Sequence, residues 1–203
     1  YFATLARNVL PDLARERATT RRLSIWSAGC STRQEALSLA MLFAEQPGRW
    51  AGWKIEILGT DISSKAIAGA RSGIYSQFEI QRGISVAQML NFFTATGDGW
   101  QACDRIRQMI RFEQHNVLDA VPPPAQFDLV LCRNVMLYFD IATRKKVFDR
   151  IAGALGPGGW LMLGAGETVV GQTDSFEPAS CGSSLYQQVS TLRSKQQCSA
   201  AAL

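Results

Sequence analysis

Strand-like apolar runs alternate with helix-like stripes along most of this chain, and that alternation limits its fold more than any other feature. Leu23-Ser24-Ile25-Trp26-Ser27-Ala28 reads as a short buried strand, and the small residues Gly29-Cys30-Ser31-Thr32 follow as a turn with a helix cap. From Glu35 to about Gln46, Ala36, Leu39, Ala40, Leu42 and Phe43 form a helical stripe that Pro47-Gly48 stops. The unit then repeats. Residues 53–60 read as a second strand ending at Asp61, and Ser63 to Ala70 as a short helix stopped near Gly73. Phe127 to Cys132 is a near-continuous apolar strand, Ala142 to Leu155 a helix ended by Gly156-Pro157-Gly158-Gly159, and Trp160 to Gly164 the next strand. Ser184 to Val189 reads as a terminal strand. Strands alternating with helices predict an α/β fold, its mostly parallel sheet covered by helices on both faces.

A chain of 203 residues, 47% hydrophobic and 19% charged, has the composition of one large folded domain with at most a small appendage. It contains no apolar run of about 18 residues and no signal peptide, so neither membrane insertion nor secretion is expected. Tyr1-Phe2-Ala3 carries no initiator Met, which fits a chain that begins inside a longer protein. Residues 1–22 form an amphipathic helical lead-in with Phe2, Leu5, Val9, Leu10 and Leu13 on one face, interrupted or bent at Pro11. Residues 23–190 make the main domain, in which Tyr75 to Arg111 breaks the rhythm as an inserted helical excursion or lid. Residues 191–203 are expected to be a disordered tail.

Five widely spaced cysteines without a CxxC pair, and a single histidine, His115, argue against a zinc site; reduced thiols and no metal are expected. The formal charge of +4 is modest, and five basic residues cluster at Arg7, Arg15, Arg17, Arg21 and Arg22. That patch reads either as a solvated helix face or as a surface for an acidic partner.

In such a sheet a ligand lies beyond the carboxyl ends of the strands. Three loops are candidates. Ser27 to Thr32 has small side chains that let backbone approach a ligand, and the helix after it offers free N–H groups. Asp61, at the tip of the second strand, stands where ribose hydroxyls could be bound, or it could cap the next helix. Cys132-Arg133-Asn134-Val135 brings polar residues abruptly out of a buried strand, for a ligand or to satisfy strand-end backbone. Their joint placement points to an adenosine-type ligand.

Several segments closely resemble the CheR-type chemotaxis receptor methyltransferases. They are Ile25 to Thr32, Gly59-Thr60-Asp61-Ile62, Gly73-Ile74-Tyr75-Ser76, Phe78 to Gly83, His115 to Asp119, Leu155 to Trp160 and, most specifically, Leu131-Cys132-Arg133-Asn134-Val135-Met136-Leu137-Tyr138-Phe139. The resemblance covers roughly residues 10 to 190. It implies a Rossmann-like S-adenosylmethionine-dependent methyltransferase fold with an antiparallel C-terminal strand, and transfer of methyl groups to glutamates of chemoreceptor cytoplasmic helices, giving methyl esters. By position it assigns Ala28, Gly29 and Ser31 to the cofactor loop, with Ala28 and Ser31 at the methionyl end. Glu35 would contact the cofactor, Asp61 would hold the ribose, and Asn116 with Val117 would flank the adenine. Arg133, Asn134 and Tyr138 would border the transfer site, with Arg133 and Tyr138 taken as catalytic and Arg133 and Asn134 also touching cofactor.

The implied partner is a chemoreceptor cytoplasmic domain or related sensor. Nucleic acid is not expected as a partner, and the implied protein is a cytoplasmic monomer that releases S-adenosylhomocysteine. Two departures from the family pattern support an alternative, a catalytically reduced, cofactor-sensing or protein-binding module. Arg33 stands where the family usually has glycine, and the family's N-terminal helical domain has no counterpart before Tyr1. No small β-subdomain for tethering a receptor's C-terminal pentapeptide is expected. Phe139 is assigned to the core, and Tyr138 has the alternative of an aromatic packed on the sheet edge.

Overall fold

The computed structural model describes residues 2–31, 34–81, 84–122, 124, 126–182 and 184–189, so the expected tail lies outside the described residues. The chain divides into two compact units, residues 1–116 and 117–203. Among the described residues no helix is long and apolar enough to cross a membrane.

In the first unit the lead-in is α-helical over Phe2–Thr4 (α1), π-helical over Leu5–Val9 and α-helical over Leu10–Glu16 (α2). Pro11 accounts for the wide turn. It has no N–H, and its ring crowds the carbonyl four residues back. The turn before it opens so that Leu10 N–H donates to Leu5 O, and the helix continues instead of breaking. Leu5, Val9, Leu10 and Leu13 are buried, the stripe that the spacing predicts.

Strand β1 (Arg22–Ala28), helix α3 (Gln34–Ala44), strand β2 (Lys54–Asp61) and helix α4 (Ser64–Ser72) follow. β1 and β2 run parallel with Ser27 beside Gly59 and Ala28 beside Thr60, so both carboxyl ends open at the same edge. Ser63 caps α4 by accepting from Ala66 N–H, and Gly73 ends it at φ 66°.

The next stretch is not the purely helical excursion that the sequence suggested. It contains β3 (Ile74–Tyr75), α5 (Gln77–Gln81), α6 (Val86–Phe92), β4 (Phe93–Thr96), β5 (Gly99–Ala102) and α7 (Asp104–Arg107). The three strands form an antiparallel sheet in the order β3-β5-β4. Thr96 pairs with Gly99 across the two-residue tip Gly97-Asp98, and aromatic and β-branched Phe93, Thr94, Thr96 and Trp100 favour the extended backbone. A small β-sheet is therefore present where none was expected. β6 (Ile110–Gln114) then pairs in parallel with β2, Asp61 lying beside Gln114.

The second unit contains β7 (Phe127–Cys132), a 3-10 turn (Met136–Tyr138), α8 (Ile141–Ala154), β8 (Leu155–Leu163), β9 (Phe176–Pro178) and β10 (Leu185–Gln188). All six β7 residues are buried, as the near-continuous apolar run predicts for every position but Asp128. β8 runs parallel to β7 and begins directly at Leu155, so Gly156 to Gly159 form its irregular start and not only a helix stop. β10 is antiparallel to β8, and β9 to β10. Mostly parallel strands with intervening helices and an antiparallel C-terminal strand make up the α/β fold expected from the alternation.

Candidate functional site

Within the first unit, two carboxylates organise the loop after β1. Gly29 turns the chain at φ 72° and Ser31 lies at φ 42°, so the backbone folds back tightly beyond the strand. Cys30 N–H donates to Thr60 O at 2.8 Å, which extends the β1–β2 pairing into the turn. Asp61 then holds both sides. One carboxylate oxygen accepts from Ser31 N–H at 2.8 Å and the other from Ser63 N–H at 2.8 Å. Ser63, not Asp61, caps α4, so Asp61 braces the loop and the turn before the helix. Each of its oxygens retains accepting capacity for a ligand hydroxyl.

Glu35 in the first turn of α3 accepts from the fully buried Ser27 Oγ at 2.7 Å. Ser27–Glu35 and Ser31–Asp61 are thus two hydrogen-bonded pairs whose carboxylates both act on Cys30, with Ala28 buried at the end of β1. Burial first, then the Asp61 and Glu35 carboxylates, pushes the Cys30 thiol up to about 12, so it is neutral here and not a nucleophile. Below the loop, Trp26 Nε1 donates to Thr60 Oγ1 at 2.9 Å in the core. The His115 ring meets Trp26 edge-on at 6.1 Å, while His115 N–H donates to Asp61 O at 3.0 Å. Asn116, the last residue of this unit, is half-buried and follows directly from that anchor. Arg33 lies outside the described residues.

In the second unit Arg133 is half-buried just beyond β7, and Asn134 takes the left-handed conformation at φ 60°. Tyr138 ends the 3-10 turn with 83% of its surface exposed, which removes the alternative of an aromatic packed on the sheet edge. Phe139 is half-buried, not a full core residue, and its carbonyl accepts from Arg144 Nε at 2.9 Å. Val117 is half-buried at the start of the unit.

One residue escaped sequence reasoning altogether. Glu167 is only 8% exposed and accepts three backbone N–H bonds, from Asn134 at 2.8 Å, Met136 at 2.7 Å and Gly164 at 2.7 Å. The available signal was an acid in the small-residue stretch Gly164-Ala165-Gly166-Glu167 directly after an apolar strand, the same placement that singled out Asp61.

Parallel strands with an acid and small-residue turns at their carboxyl ends define an α/β domain built to hold an adenosine-type cofactor. The family described as CheR methyltransferase, SAM binding domain, matches residues 1–184, and the chain belongs to that family, whose cofactor is S-adenosylmethionine. A chemotaxis protein methyltransferase of Vibrio parahaemolyticus is 37% identical over 183 residues, covering 89% of this chain and 66% of that protein. Chemotaxis protein methyltransferase 1 of Pseudomonas aeruginosa is 35% identical over 184 residues, 89% of this chain and 67% of that protein. An uncharacterized 104.1 kDa protein of Rhodobacter capsulatus is 35% identical over 189 residues, 92% of this chain but 19% of that protein. The chain therefore spans 66% of the length of the Vibrio relative.

Proposed function

We propose that this chain is the catalytic domain, residues 23–190, of a cytoplasmic S-adenosylmethionine-dependent methyltransferase that esterifies glutamate side chains of a chemoreceptor or related sensor. The observation that carries the reading is Asp61, an acid at the carboxyl end of β2 that braces the β1 loop and keeps accepting capacity on both oxygens. The family match supports the cofactor, and the names of the chemotaxis relatives support the partner.

When bound, S-adenosylmethionine supplies a methyl group on a sulfonium. Asp61 accepts hydrogen bonds from the ribose hydroxyls, Gly29 presents the loop backbone, Ala28 and Ser31 line the methionyl end, and Glu35 contacts the cofactor. Asn116 and Val117 flank the adenine. Arg133 and Asn134 border the reacting centre, and the Tyr138 hydroxyl orients the incoming carboxylate. A glutamate side chain with an ordinary pKa near 4.3 is ionised at neutral pH, so no general base is required. The chain's single histidine is consistent with that. Catalysis then rests on in-line positioning, which can contribute roughly 7 to 11 kcal/mol, and on excluding water where anion meets cation.

Incubation of the chain with methyl-labelled cofactor and a receptor cytoplasmic fragment should give base-labile label that Asp61→Ala abolishes. Label that is absent, or stable to base, would overturn the reading. A second reading, a protein-binding or cofactor-sensing module of a larger protein, is supported by the relative in which the matched region is 19% of the whole. It expects S-adenosylhomocysteine binding without ester formation on any receptor fragment.

A further inference from the structure

We infer that Glu167 is a positioning residue for the candidate transfer loop, a role that rests on the cofactor reading above. The chain turns sharply here: Asn134 is held at φ 60°, a left-handed conformation that asparagine adopts at lower cost than other side-chain-bearing residues, two residues beyond the fully buried β7. Glu167 Oε2 accepts from Asn134 N–H and from Gly164 N–H, and Oε1 accepts from Met136 N–H. One buried carboxylate thus ties the turn after β7 to the end of β8, on both sides of the left-handed residue.

The local sequence is fitted to this contact. A Cβ on Gly164 would come within 2.7 Å of Glu167 Oε2 and 3.0 Å of Asn134 N, so a side chain there would expel the carboxylate. Every donor that Glu167 meets is a backbone N–H, and a buried carboxylate with three of them has no need of a cationic partner. Glu167 touches neither Arg133 nor Tyr138 in these bonds. It acts by setting the backbone from which Arg133, Asn134 and Tyr138 project.

The test uses Glu167→Gln, which keeps the shape but offers one acceptor oxygen where two are used, and Gly164→Ala, which displaces the carboxylate without altering it. Calorimetry reads the affinity of each variant for S-adenosylhomocysteine and for adenosine, which lacks the methionyl end. Both variants should bind S-adenosylhomocysteine at least tenfold more weakly while adenosine affinity stays within about twofold. The double variant should lose less than the two single losses combined, because both disturb the Glu167–Asn134 contact.

Amide exchange supplies a second measurement. The N–H groups of Asn134, Met136 and Gly164 should lose protection while those of β1 and β2 keep theirs. Equal weakening of both ligands would mark general loss of structure and overturn the proposal, as would unchanged S-adenosylhomocysteine affinity. A wild-type chain that binds neither ligand would refute the cofactor reading itself.

Discussion

Asp61→Asn isolates the electrostatic part of the candidate cofactor loop, because it keeps the side chain's size and removes one acceptor and the charge. The carboxylate now accepts two backbone N–H bonds of 2.8 Å, from Ser31 and Ser63. An amide has one accepting oxygen, and its NH2 would face the second N–H. Hydrogen bonds to a charged group contribute about 1.5 to 3 kcal/mol, and the solvent-facing position of these two places the loss at the lower end, about 1.5 kcal/mol. For a chain of this size that is a fall of roughly 3 to 6 °C in melting midpoint. The effect on ligand is larger if Asp61 also binds the ribose. Loss of charge-assisted bonds at 1.5 to 3 kcal/mol corresponds to roughly 13- to 150-fold weaker binding of S-adenosylhomocysteine. Ser31→Gly in the same background should recover part of the stability, roughly 1 kcal/mol, because glycine accepts the φ of 42° without the Cβ penalty. Calorimetric titration with S-adenosylhomocysteine alongside thermal melts decides the matter. A variant that melts within a degree of wild type and binds within twofold would show that Asp61 neither braces the loop nor holds the ligand.

Cys30 should impose an alkaline limit on stability. Its folded thiol is raised from 9.0 to about 12, so the stability it contributes is fully present below about pH 9 and is lost as pH rises toward 12, by up to about 1.4 kcal/mol per pH unit. Denaturant melts between pH 8 and 10.5 should show that slope, and Cys30→Ala should flatten it. Gly73→Ala should cost roughly 1 to 2 kcal/mol in the same melts, because the helix ends there at φ 66° and a Cβ would lie 3.0 Å from Arg107 Nε; Gly73→Asn should be milder. Asp140 caps α8 by accepting from Thr143 N–H, and that bond holds its carboxyl below the usual range. Its contribution is present above the unfolded carboxyl's pKa and is lost as pH falls through the lower folded value. Asp140→Asn should keep the cap and weaken the acid dependence of melts between pH 2 and 5.

What could be read in advance divides by range of interaction. The strands and helices carrying Ile25, Phe43, Leu129 and Phe148 were legible because each follows from periodicity over a few residues. The α4 stop at Gly73 and the all-buried β7 were legible for the same reason. The β3-β5-β4 sheet was not, because strands of two to four residues are too short to show a period, and α5 and α6 lie among them. β6 was hidden likewise, its five residues alternating too weakly between half-buried and exposed.

The candidate site follows the same division. Asp61 could be found because it lies at a strand tip and meets Ser63 two residues on, a local turn that sequence displays. Its bond to Ser31, thirty residues back, could not be seen until β1 and β2 were paired in register. Glu167 offered the same placement just after an apolar strand and a local partner in Gly164, but its role in the turn after β7 could not be seen, since Asn134 and Met136 lie 33 and 31 residues earlier. Sequence patterns therefore point to acids at strand tips, whereas the distant backbone groups that such an acid holds emerge only from tertiary pairing. On that account Glu167 should tolerate no substitution that keeps only its charge. Aspartate is one methylene too short to bridge β7 and β8, and Glu167→Asp should lose the Asn134 and Met136 amide protection as completely as Glu167→Gln.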